Sequence, residues 1–141
     1  MIVVPFEADH LSELLLQESQ MMLQPMMKDV KYGLSLEKSG PAFSAVVDGE
    51  IIAALGILPQ WTNRAIAWGL IGEKAPQHFL SLHKAVSRFL KLSEYRRIET
   101  SVASNFAEGH RWAQMLGFEN EGTMKAFAPD GSDCDLYARV K

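Results

Sequence analysis

Three side chains of this sequence have the chemistry to move a proton in a reaction: the Glu73 carboxyl, the His110 imidazole and the Tyr137 phenol. Positioned groups of these types contribute about 10²- to 10⁴-fold to a rate. Each also has a structural reading that weighs more, because titratable residues far outnumber catalytic ones. Glu73 suits a helix start, where the macrodipole favours negative charge. His110 suits an exposed helix face, and Tyr137 suits packing on a strand. Lys84, Arg88 and Lys91 share a helical face at i, i+4 and i+7. That stripe can meet a phosphorylated ligand, but a solvated helix face is the commoner explanation. Cys134 is the single cysteine, so neither an intramolecular disulfide nor a multi-cysteine zinc site is available. A reducing, intracellular compartment fits that usage. His10, His78, His83 and His110 are scattered without ligand spacing, and no catalytic metal is expected.

The elements that must position these groups belong to a chain of 141 residues, 48% of them apolar. One domain spanning 1–141 with a sizeable core is expected. A formal charge of −3 gives no field that would hold nucleic acid. No run approaches the roughly 18 to 20 apolar residues that span a bilayer. The start, "MIVVPFEADH", lacks a basic leader and a small-residue cleavage site, so a soluble protein of the cytoplasm, without membrane attachment, is expected.

"IVVPF" reads as a strand, and Asp9 offers an N-cap for a helix carrying Leu11, Leu14 and Leu15 on one face. Pro25 interrupts "ESQMMLQPMMKDVKYG", so a second short helix or an irregular segment is predicted from there. Met21, Met22, Met26 and Met27 suit either a flexible channel or core filling, the second being the commoner use. Asp48-Gly49 joins two strand-like runs and favours a type I′ hairpin turn. "AIAWGLIG", residues 65 to 72, is apolar almost throughout, as befits a strand covered on both faces. Phe79, Leu82, Val86, Phe89 and Leu90 keep helical spacing after Pro76. "RRIETSVAS" reads as a strand, followed by a helix from about Phe106 to Leu116 with Trp112, Met115 and Leu116 on its apolar stripe. Gly117 is placed to end that helix in the left-handed conformation, with Phe118 packing back. A last hairpin turns at Pro129-Asp130-Gly131. The order β-α-α-β-β-β-α-β-α-β-β predicts an α+β domain with one mixed sheet of six to seven strands flanked by helices.

That order, with Val102 and Asn105 leading into a helix that ends "MLGFENEG", resembles the GNAT superfamily of N-acyltransferases. The resemblance covers essentially the whole chain. Its most specific residues are Val102, Asn105, Leu116, Gly117, Phe118 and Gly122. It implies two neighbouring parallel strands, 64 to 71 and 97 to 103, splayed so that the pantetheine arm of acetyl-CoA or another acyl-CoA bonds to exposed backbone. By resemblance the backbone of Leu70, Ile71 and Gly72 would face that arm, with Asn105 approaching it and Lys74 near the diphosphate. The acceptor would be an amine on a small molecule or a protein, and the terminal hairpin is a place for homodimer contacts.

Two departures from the family pattern stand beside the matches. Where the family carries a glycine-rich, phosphate-binding turn, this chain reads "IGEKAPQ", with Glu73 adding like charge and Pro76 lacking an N–H. Where many members carry a proton-donating tyrosine, this chain has Ala113, or Trp112 if the turn is one residue longer. Glu73 and Tyr137 are the remaining catalytic candidates, with His110 a further base. The segment "GHRWAQMLGFENEGTMKAFAPDGSDCDLYARV" is most similar to the GNAT-like proteins of tailed bacteriophages and prophages. Two readings stay open: an acyl-CoA-dependent N-acyltransferase, and a catalytically inactive GNAT-like protein, virion-associated or binding a phage or host partner.

Overall fold

The computed structural model describes residues 1–141. Seven strands form one mixed sheet: β1 (Ile2–Pro5), β2 (Ala42–Val47), β3 (Glu50–Trp61), β4 (Arg64–Ile71), β5 (Arg97–Ala103), β6 (Glu119–Met124) and β7 (Cys134–Val140). Their spatial order is β1-β2-β3-β4-β5-β7-β6. All neighbours are antiparallel except β4 and β5. The parallel pair needs a crossover, and α2 (Phe79–Leu92) supplies it. The other α-helices are α1 (Val30–Ser39) and α3 (Ala107–Met115). The α+β class and the mixed sheet thus match the expectation from sequence.

Local chemistry explains most boundaries. Asp48 and Gly49 both take positive φ, 49° and 80°, as a type I′ turn requires. At the end of α3, Gly117 has φ +90° and its N–H donates to Gln114 O, while Phe118 N–H reaches back to Ala113 O. Those two bonds are the Schellman pair, and Phe118 is buried beneath them. The Asp29 carboxylate accepts from Lys31 N–H and starts α1.

The N-terminal region differs from the expected helices. Ala8–Glu13 is a 3-10 segment started by Glu7, whose side chain and that of His10 form a capping box, so Asp9 is not the cap. Leu11 and Leu14 are buried, but Leu15 is exposed because it lies beyond the 3-10 segment, where the extended backbone points it away from Leu14 and Leu16. Glu18–Lys28 is a second 3-10 segment that contains Pro25 rather than starting at it. On α3, Ala113 is the buried residue and Met115 points to solvent.

The sheet is covered unequally. On one face α2 and α3 bury Leu82, Val86, Leu90 and Ala113 against Phe43, Ile71, Ile98, Phe118 and Tyr137, reaching both halves of the sheet. On the other face a smaller cluster of Leu11, Leu14, Leu16, Met27 and Leu36 covers Ala54 and Leu70 of the first half alone. β4 is therefore enclosed on both sides, whereas β5 carries Arg97, Glu99 and Ser101 on a bare face.

Candidate functional site

β4 and β5 are paired only at their starts, Arg64↔Arg97, Ala65↔Ile98 and Ile66↔Glu99. Glu99 holds this closed end. It accepts from Arg64 at 2.7 and 2.8 Å and from Arg97 Nε at 2.6 Å. Arg97 extends the network to Glu121. The Arg64 hydrogen bonds, with those of Arg97 and against the cost of burial, lower the Glu99 pKa to about 2. Beyond Ile66 the strands diverge.

The gap between them opens into a cavity of about 300 Å³. Ala67, Trp68 and Gly69 form one wall, and Ser101, Val102 and Ala103 the other. Phe89 and Leu90 of α2 with Trp112 and Leu116 of α3 line it from one face, and Gln20, Met22 and Leu23 from the opposite face. No charged side chain is among its walls, and Cys134, whose thiol is pushed up mainly by burial, is the one titratable group there. Ser19 and Trp68 are among its lining residues, and Ser19 Oγ and Trp68 Nε1 are buried without a hydrogen-bond partner in the protein. Of the four methionines, Met22 lines the cavity, Met27 is in the core and Met21 is exposed.

The free edge of β4 that faces this gap is already hydrogen-bonded. The Gln20 side-chain amide donates to Gly69 O at 2.6 Å and accepts from Ile71 N–H at 2.8 Å. Gln17 N–H donates to Ile71 O at 2.9 Å, and Glu73 N–H donates to Leu15 O at 2.8 Å. Gln24 clips Leu14 and Leu16 in the same two-bond manner and so holds the covering segment straight.

Among the residues singled out from sequence, Leu70 is paired with Ala54 of β3, and Gly72 N–H donates to Ile52 O at 2.8 Å. The Leu70 backbone and Gly72 N–H point into the sheet rather than into the gap. Ile71 alone faces it, in the bonds just described. A Cβ on Gly72 would lie 2.6 Å from Ile52 O, so close strand contact requires glycine there. Lys74 is exposed and paired with Glu50 at 2.7 Å. Asn105 is exposed in the turn after β5, outside the cavity lining. Glu73 is exposed and forms no ion pair.

Tyr137 is fully buried, and its hydroxyl lies 2.6 Å from His110 Nδ1. Since His110 Nε2 is 3.0 Å from the Ser104 carbonyl, Nε2 carries the hydrogen and Nδ1 accepts from the phenol. His110 is therefore tied into the structure rather than lying on an exposed helix face. Neither ring lines the cavity, so Glu73, Tyr137 and His110 are not brought together on one site.

A bound CoA diphosphate needs successive free N–H groups at a helix start. Here the N–H groups of Gly72, Glu73 and Ala75 bond to Ile52 O, Leu15 O and Gly72 O, and Pro76 has none. Ala75–His78 is a 3-10 turn ahead of α2. Trp112 Nε1–H donates to His83 Nδ1 at 3.2 Å, and Phe79 packs against both rings, joining α2 to α3. These residues do not form a diphosphate cradle, and the gap edge of β4 is filled by the chain's own groups.

Sequence reasoning missed Gln17 and Gln20. Their spacing with Gln24 was legible, but glutamines at helical intervals read as a solvated face.

A sheet split at a parallel pair, with helices on both faces and a cavity in the split, defines the fold of GNAT acetyltransferases. Among solved structures it superposes on an aminoglycoside 6′-acetyltransferase type Ii, with TM-score 0.73 and 17% identity over 99% of this chain and 97% of that one. A GNAT acetyltransferase from Bacillus anthracis gives TM-score 0.73 and 15% identity over 98% and 93% of the chains. A GNAT acetyltransferase from Elizabethkingia anophelis with acetyl-CoA bound gives 0.70 and 17% over 99% and 97%. At these identities the likeness establishes the fold. No family model matches the sequence, and no curated protein matches it.

Proposed function

We propose that this chain is an N-acyltransferase that takes an acyl group, acetyl being the simplest, from a CoA thioester to an amine of a small molecule or protein. The observation that carries the reading is the divergence of β4 from β5 after Ile66 and Glu99, which leaves an uncharged apolar cavity against an unladdered strand edge. The fold likeness supports it, and one of the neighbours binds acetyl-CoA. Thioester aminolysis needs a neutral amine, a donor for the developing oxyanion and a proton for the departing thiolate. Ile71 N–H is the backbone donor on the gap edge of β4 and the residue best placed for the oxyanion. No acid lines the cavity, so the thiolate takes its proton from solvent. Glu73, exposed on the segment after β4, is the carboxylate this reading assigns to accept a proton from the amine.

A second reading has its own observation. The chain's own groups use the N–H donors at Gly72, Glu73 and Ala75, which suits a GNAT-like protein that has given up CoA chemistry and binds a phage or host protein instead. Acetyl-CoA titration separates the two. A ligand at 100 times its dissociation constant stabilises by about 2.7 kcal/mol, which raises the melting temperature by several degrees. The acyltransferase reading expects that rise. No rise at millimolar acetyl-CoA rejects it in favour of the second.

A further inference from the structure

The Gln20 side chain presents to β4 a donor and an acceptor from one amide, at 2.6 Å to Gly69 O and 2.8 Å to Ile71 N–H. This is the pattern a neighbouring extended chain would make. An amide-bearing arm laid along the gap would need those same two groups, because the next groups along the edge are taken by the backbone of Gln17 and Leu15. Gln20 is held by a 3-10 segment, a form that rarely persists over 11 residues because its hydrogen bonds are poor. The segment's anchors to the body are Met27 in the core and the Gln24 clip on Leu14 and Leu16. Next to Gln20, the Ser19 hydroxyl is buried without a protein partner, as is the indole N–H of Trp68, the residue before Gly69 on β4.

We propose that Gln20 is a built-in gate, a side-chain amide that fills the ligand edge of β4 at rest and must leave before an amide-bearing arm can bind. The ligand class rests on the acyltransferase reading above; the occupancy of the edge does not. The displaced amide exchanges its two bonds for bonds to water; an amide N–H of the arm takes over Gly69 O, and the thioester carbonyl at its end takes over Ile71 N–H. The gate also covers Ile71 N–H, so the resting protein lacks its oxyanion donor until the arm arrives.

The test compares the native protein with Gln20→Ala by calorimetric titration with acetyl-CoA and, separately, with pantetheine, which has no phosphates. Removing two competing neutral hydrogen bonds should tighten both ligands about tenfold or more. Gln20→Met keeps the length but carries neither the donor nor the acceptor, and it should tighten binding in the same direction if the alanine variant folds poorly. Equal affinity in native and variant proteins overturns the gate while leaving the acyltransferase reading intact. Binding by neither protein at millimolar ligand rejects the acyltransferase reading. Amide exchange at Ile71 then decides the gate: acceleration in Gln20→Ala at unchanged global stability supports it, and unchanged exchange overturns it.

Discussion

Replacing Tyr137 with Phe removes a single oxygen from the centre of the core and tests whether that residue serves structure or chemistry. The phenol donates to His110 Nδ1 at 2.6 Å, and His110 is fixed on its other side by the Ser104 carbonyl at 3.0 Å. Tyr137 is 1% exposed and cannot swing away without losing packing, and the next neighbour of His110 Nδ1 is Asp135 Oδ2 at 4.0 Å, beyond hydrogen-bond reach. The variant therefore loses a hydrogen bond worth about 1 kcal/mol and leaves the imidazole nitrogen partly unpaired, for a total of about 1.5 to 2 kcal/mol. For a chain of this size that corresponds to a fall of about 5 °C in melting temperature. Urea titration should show a lower midpoint at an unchanged slope, because the surface exposed on unfolding does not change. A cycle with His110→Ala isolates the pair and should return a coupling of about 1 kcal/mol. Any transferase turnover should stay within about twofold of the native rate. A stable Tyr137→Phe that has lost its turnover would refute the assignment and place the phenol in the chemistry.

Two further outcomes follow from the closed end of the gap and from the end of β4. The Glu99 carboxyl is held at about 2, well below the ordinary carboxylate value of 4.5, mainly by Arg64. A lowered folded-state pKa contributes stability that is complete above 4.5 and is lost as pH falls toward 2. Urea midpoints measured between pH 6 and 2.5 should therefore drop steeply below about pH 4.5, and Glu99→Gln should start lower at pH 6 and flatten that drop. Gly72→Ala forces a methyl to 2.6 Å from Ile52 O, and a shift of β3 or β4 is needed to relieve it. The expected loss is about 2 kcal/mol or more by urea titration, and a variant as stable as the native protein would show that the strands can part there.

Patterning made the sheet and helices readable because their burial is periodic. "AIAWGLIG" lacks alternation since β4 is covered by both clusters, while "RIETSV" alternates because one face of β5 is bare. Asp48-Gly49 and Gly117-Phe118 were readable for another reason, in that each needs a positive φ which few residues supply. The segment from Ala8 to Lys28 was misread because its 3-10 geometry follows from tertiary bonds, the Gln24 clip and the Gln20 contact, rather than from a repeating apolar face. The candidate site depends on the same segment. A resemblance can point to Leu70, Ile71 and Gly72 as a stretch, but strand alternation decides which of them faces the gap, and only Ile71 does. The His110–Tyr137 pair joins residues 27 apart in sequence, on a helix and a strand whose register is not visible locally.

The split between β4 and β5 has one consequence for traffic. Its lining comes from α2 and α3 on one side of the sheet and from the Gln17–Leu23 stretch on the other, so whatever enters is bounded by both layers. On the acyltransferase reading proposed above, donor and amine share that one space.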